Sequence, residues 1–138
     1  AVPSLLLEDP ERPRRRRPRH GRLGEIRLKE HGGFEYRTLG SWLGSMRRAA
    51  FSLCLAKLIA IEFPRLRRHL LDSPESHVAF YRGDKDFFRP RLSELWHDLE
   101  QTDSYALWRQ ELDRVRIWIH NRRTWNEDID LKRLWRIR

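Results

Sequence analysis

Six arginines fall within the nine residues "RPRRRRPRH" at positions 12–20. Guanidinium groups at that density suit one kind of chemistry, because each presents a planar fork of N–H donors that matches a carboxylate or a phosphate. Arg12, Arg14, Arg15, Arg16, Arg17, Arg19 and the nearby Arg22 are therefore the candidate anion-binding residues, aimed at acidic protein partners, lipid phosphates or RNA phosphates. The bland alternative is a solvated basic tail.

A second signal is tryptophan beside arginine, in "SWLGSMRR", "LWRQ", "RIWIHNRRTW" and "RLWRIR", with six tryptophans in 138 residues. Trp42, Trp108, Trp118, Trp125 and Trp135 are the interface candidates. Such pairs can fill helix contacts while arginine stacks on the ring, can sit at a membrane surface, or can stack on RNA bases. Their recurrence on separate segments favours many protein contacts over one flat binding face.

Catalytic constellations are not evident. No phosphate-cradling glycine loop, nucleophile elbow, paired-histidine metal helix or calcium loop occurs. The six histidines, at 20, 31, 69, 77, 97 and 120, never fall three or four residues apart. Glu127, Asp128 and Asp130 in "NEDID" read as helix-start acids that complement the helix dipole, in preference to a cation site. Cys54 lies in an apolar run and reads as a small buried hydrophobe. No catalytic residue, cofactor or metal is expected.

The elements that must position these residues are helical. Residues 1–40 hold four of the seven prolines and five of the seven glycines, and read as an extended basic arm followed by a loop around Gly32-Gly33. No strand alternation is assigned. From a cap at Ser41, apolar residues recur at helical spacing through "AAFSLCLAKLIAIEF" (49–63), with Pro64 as the break. At 15 residues that core spans roughly 22 Å, short of the roughly 30 Å of a bilayer's hydrocarbon core. It predicts burial by the other helices and by partners.

"DSPESHVAFYRG" predicts a helix capped by Asp72 or Ser73, with Pro74 in its first turn and Gly83 as its stop. "GDKDFF" reads as a turn leading into the next helix, which places Leu92, Leu95, Trp96 and Leu99 on one face. Tyr105, Trp108, Leu112, Val115 and Ile119 define a long helix after Asp103 or Ser104. Asn126 can cap a last one that carries Leu131, Leu134 and Trp135. The fold class is all-α: an irregular arm over 1–40, then a helical domain over 41–138 of about four to five helices, partly dependent on partner subunits.

The net charge of +9 is uneven, because residues 1–22 carry seven arginines against Glu8, Asp9 and Glu11, a net +4, while the remainder is nearly balanced. A balanced body behind a basic arm weakens a dedicated RNA-coating role. Ala1 in place of methionine suggests a processed chain. The resulting expectation is a non-catalytic accessory or structural subunit of a large mitochondrial membrane-associated complex, either a respiratory complex or an ATP synthase, peripheral to the inner membrane. A mitochondrial ribosomal protein holding rRNA through its arm is the alternative. Expected partners are other protein subunits and anionic lipid of the cardiolipin type, with RNA as the alternative and no small-molecule substrate.

Overall fold

The computed structural model describes residues 1–9, 11–38, 40, 42–66, 69–125 and 130–137, with the side chains of residues 12–14 and 69 outside that description. Helices dominate, as the periodicity predicts. They are α1 (Val2–Leu7), α2 (Glu11–Arg16), α3 (Met46–Glu62), α4 (Pro74–Arg82), α5 (Lys85–Phe88), α6 (Leu92–Glu100), α7 (Tyr105–His120) and α8 (Leu131–Trp135). A hairpin of β1 (Ile26–Leu28) and β2 (Phe34–Tyr36) stands between α2 and α3.

The start of the chain is folded into the molecule, which corrects the extended-arm reading. In α1 the block "VPSLLL" places Pro3 in the first turn, where its missing N–H costs nothing, and buries Val2, Leu5, Leu6 and Leu7. Those leucines share one core with Phe51 and Leu58 of α3, Phe80 of α4, Trp96 and Leu99 of α6, and Leu112, Val115 and Ile119 of α7. Helix α1 lies against α5 and α7, and α3 packs along α7.

Helix α3 starts later than expected. Its cap is Ser45, whose Oγ accepts from the Arg48 amide at 3.0 Å, and Ser41 lies outside the described residues. Helix α4 keeps the expected signals: Ser73 Oγ accepts from the Ser76 amide at 3.1 Å, and Gly83 closes the helix at φ 66, a left-handed conformation that an L side chain strains to adopt. "GDKDFF" forms the short helix α5, because Asp84 accepts from the Phe87 amide at 3.0 Å. Asp130 caps α8 in place of Asn126, which lies outside the described residues together with Glu127 and Asp128.

Buried polar links fasten the helices to one another. The Glu62 carboxylate at the end of α3 accepts from the amide and hydroxyl of Ser104 at 3.1 and 2.6 Å, so one helix caps the next. Trp96 Nε1 donates to Tyr105 Oη at 3.2 Å, and Tyr105 donates in turn to Asp113 at 2.5 Å. Desolvation, with the Asp113 bond as its second cause, raises the Tyr105 phenol above the ordinary tyrosine range. The outer face of α3 stays bare: Leu53, Ile59 and Ile61 are exposed. No helix among the described residues is long and apolar enough to cross a membrane.

Candidate functional site

A set of five charges lies on and beside the β1–β2 hairpin, with Arg27 and Glu35 exposed and Glu25, Lys29 and Arg37 half-buried. Its antiparallel register pairs Ile26 with Tyr36, Arg27 with Glu35 and Leu28 with Phe34. Flanking bonds continue the ladder, from the Arg37 amide to the Glu25 carbonyl at 2.9 Å and from the Lys29 amide to the Gly33 carbonyl at 2.8 Å. Gly32 supplies the positive φ of 84 that the reversal needs. Since side chains alternate along a strand, Ile26, Leu28, Phe34 and Tyr36 share one face, and Glu25, Arg27, Lys29, Glu35 and Arg37 share the other.

On the polar face three cations surround one carboxylate. Glu35 lies 2.9 Å from Lys29 Nζ, 3.7 Å from Arg27 Nη1 and 3.8 Å from Arg37 Nε. The hydrogen bond from Lys29 is the main reason that its carboxyl sits below the ordinary glutamate range. Arg37 is held from a second side, with Nη1 3.0 Å from Glu25 and Nη2 3.3 Å from His20 Nδ1. Glu25 is itself fixed by the amides of Gly21 and Arg22 at 2.6 and 3.0 Å, and the Arg22 and Gly21 amides are what depress its pKa most. Arg37 is thus held in place by Glu25 and His20 as well as by Glu35.

The arginines of the basic run divide between structure and surface. Arg17 is buried: Nη2 lies 2.6 Å from Glu8, Nη1 donates to the Phe80 carbonyl at 2.8 Å, and the guanidinium sits 4.4 Å from the Phe80 ring centre. Burial, partly offset by Glu8, lowers its pKa. Arg16 Nη2 donates to the Thr38 carbonyl at 3.2 Å and packs on Gly21. Arg22 accepts from the Thr38 hydroxyl through its own carbonyl at 2.7 Å. These two contacts tie the run to the base of the hairpin. Arg15, Arg19 and Arg22 are exposed, and the side chains of Arg12 and Arg14 lie outside the description.

The tryptophans are spread over the molecule. Trp108, Trp118 and Trp125 are half-buried against the core, and the backbone kinks at Trp108. Trp125 receives the Arg48 guanidinium at 3.9 Å. Trp135 Nε1 donates to the Leu43 carbonyl at 2.8 Å, fixing α8 beside the turn that carries the exposed Trp42. Trp–Arg stacking in this chain therefore serves packing at Trp125. Among the described residues no cluster of histidine, cysteine and carboxylate side chains could hold a metal.

The model of the phage phiEco32-like COOH.NH2 ligase-type 2 family matches residues 1–137. The chain belongs to that family. No curated protein and no solved structure matches it.

Membership of a ligase family overturns three expectations. The non-catalytic accessory or ribosomal role, the absence of an enzyme, and the respiratory and ATP synthase associations all give way to a family of carboxylate–amine ligases. They rested on a missing catalytic motif, which speaks only to sites confined to a single stretch of sequence. The mitochondrial placement rested on the missing methionine and the composition, and it finds no support.

Sequence reasoning passed over Arg27, Lys29, Glu35 and Arg37 in favour of the longer arginine run. The signal was present: "EIRLK" and "FEYR" alternate polar and apolar residues on either side of the Gly32-Gly33 turn.

Proposed function

We propose that this protein forms amide bonds, joining a carboxylate to an amine, and that the charged face of the β1–β2 hairpin holds the anionic end of a substrate. At neutral pH a carboxylate has no leaving group, so its oxygen first attacks a nucleoside triphosphate, either at the terminal phosphorus to give an acyl phosphate with release of the diphosphate, or at the innermost phosphorus to give an acyl nucleotidyl anhydride with release of pyrophosphate. The amine nitrogen then attacks the carbonyl carbon, the C–O bond to the phosphate breaks as the C–N bond forms, and the amine's proton passes to a base. Each stage places negative charge on oxygen, and preorganised cations are the groups that stabilise it.

One observation carries the assignment: Arg27, Lys29 and Arg37 converge on the carboxylate of Glu35. An oxygen pair of carboxylate shape already fits among those donors, so a substrate carboxylate or a phosphate can share or take the place of Glu35. Arg37 is the principal binding residue, with Glu25 and His20 positioning it. Arg15, Arg19 and Arg22 add positive charge that draws anions to this part of the surface. On this reading small carboxylates and amines are the expected substrates.

The test offers the protein a panel of amino-acid carboxylates and amines with a nucleoside triphosphate, and follows products by mass spectrometry. The reading expects a product whose mass equals acid plus amine less one water. No amide from any pair, and no acid-dependent consumption of the triphosphate, would overturn it.

A further inference from the structure

Away from the hairpin, a cleft of about 370 Å³ opens where the residue after α5 meets α6 and the last turns of α7. Its lining is Arg89, Leu92, Ser93, Arg116, Ile117 and His120. The volume lies within the roughly 300–1,000 Å³ typical of small-molecule sites. Arg89 after α5, and Arg116 and His120 of α7, line one cleft beside a hydroxyl and two aliphatic side chains.

The positive charge there is incompletely answered. Arg116 is paired, with Nη1 2.5 Å from Glu100. Arg89 has only a long contact, 3.6 Å from Nε to the exposed Asp86, and its Nε and Nη1 are withdrawn from solvent without a hydrogen bond. Buried N–H donors left without an acceptor are costly, and the guanidinium relieves that cost by turning to meet a ligand oxygen in the cleft.

We infer that this cleft binds a phosphate monoester of a small organic molecule. The phosphate faces Arg89, His120 and Ser93, and the organic part lies on Leu92 and Ile117. Ser93 Oγ donates to the Pro90 carbonyl at a long 3.3 Å and can exchange that bond for a ligand oxygen; with Arg89 and His120 it makes three donors on separate elements, which suit an anion with three terminal oxygens better than a planar carboxylate with two. The site shares no residue with the hairpin cluster, so it stands whether or not the hairpin holds the ligase substrate.

Phenyl phosphate supplies both halves of such a ligand, and benzoate supplies the ring with a carboxylate. Titrating each into the complete protein, followed by amide NMR, is expected to give saturable shifts at Arg89, Ser93 and His120 with phenyl phosphate. Arg89→Gln should weaken binding about tenfold or more, since it removes a charge-assisted donor set. Ser93→Glu, at an exposed position, should abolish binding by placing a carboxylate among the cations while the melting temperature holds; it decides the matter if Arg89→Gln does not fold. Arg37→Gln should leave this binding unchanged. The inference is overturned by absence of saturable shifts in the cleft, by undiminished affinity in Ser93→Glu, or by benzoate binding as tightly as phenyl phosphate.

Discussion

Arg17 and Glu8 form an ion pair of 2.6 Å inside the molecule, with side chains only 2% and 4% exposed. Glu8 also accepts from the Gly40 amide at 3.2 Å and from Ser4 Oγ at 3.2 Å, and its carbonyl accepts from Lys85 Nζ. Arg17 thus joins the end of α1 to the Phe80 carbonyl of α4, and Glu8 carries the link on to α5 and to the segment after the hairpin. Removing a single partner leaves a buried charge uncompensated, at a typical cost of roughly 3–5 kcal/mol. Arg17→Met and Glu8→Gln should each show that loss in urea denaturation, and the double variant should lose less than the sum of the two.

Glu62 supplies the acceptors that the start of α7 lacks from its own side chains. Glu62→Ala strands the Ser104 amide and hydroxyl in a buried place. A loss of about 1–3 kcal/mol is expected from that desolvation. Amide exchange should quicken first in the opening turn of α7; uniform quickening through α3 and α7 would contradict the capping role.

Tyr105 is one of three tyrosines, and the burial that raises its pKa also holds its hydroxyl between Trp96 and Asp113. Because the folded pKa lies above the unfolded one, its contribution to stability is complete below the unfolded value and is lost as pH rises past it. Ultraviolet titration should therefore show one tyrosine that ionises only with alkaline unfolding. In Tyr105→Phe that late step should vanish.

Glu25 and Glu35 run in the opposite direction. Their folded pKa values lie below the ordinary 4.5, so their stabilising contribution is present above that value and fades as pH falls through the folded one. Carboxyl carbon NMR should find Glu35 titrating below 4.5 in the wild type and closer to it in Lys29→Gln, since Lys29 is the leading cause of the shift. Acid should also loosen the grip of Glu25 on Arg37, and anion binding at the hairpin should fall with it.

How far the sequence reveals the fold depends on how local each signal is. Ser73, Pro74 and Gly83 bracket α4 because caps act within a few residues, and the stripe of Leu112, Val115 and Ile119 marks the buried face of α7 directly. Arg17 could not be read in that way: its partners include Phe80, 63 residues away, and nothing in "RRRR" distinguishes the buried guanidinium from its neighbours. The hairpin was legible in principle, but with strands of three residues each its alternation is too brief to stand out beside a run of arginines. Chemistry was the least legible. Arg27, Lys29, Glu35 and Arg37 become a site only when the turn at Gly32 brings the two strands into register.

The most direct test compares KM for the carboxylate substrate in the wild type, in Arg37→Gln and in Arg47→Gln, the last an exposed arginine on α3 away from the cluster. If the hairpin binds the anionic end of the substrate, Arg37→Gln raises KM about tenfold or more, as loss of a charge-assisted contact does. Arg47→Gln and the melting temperature then stay unchanged. An unaltered KM in a fully folded Arg37→Gln protein would contradict the account.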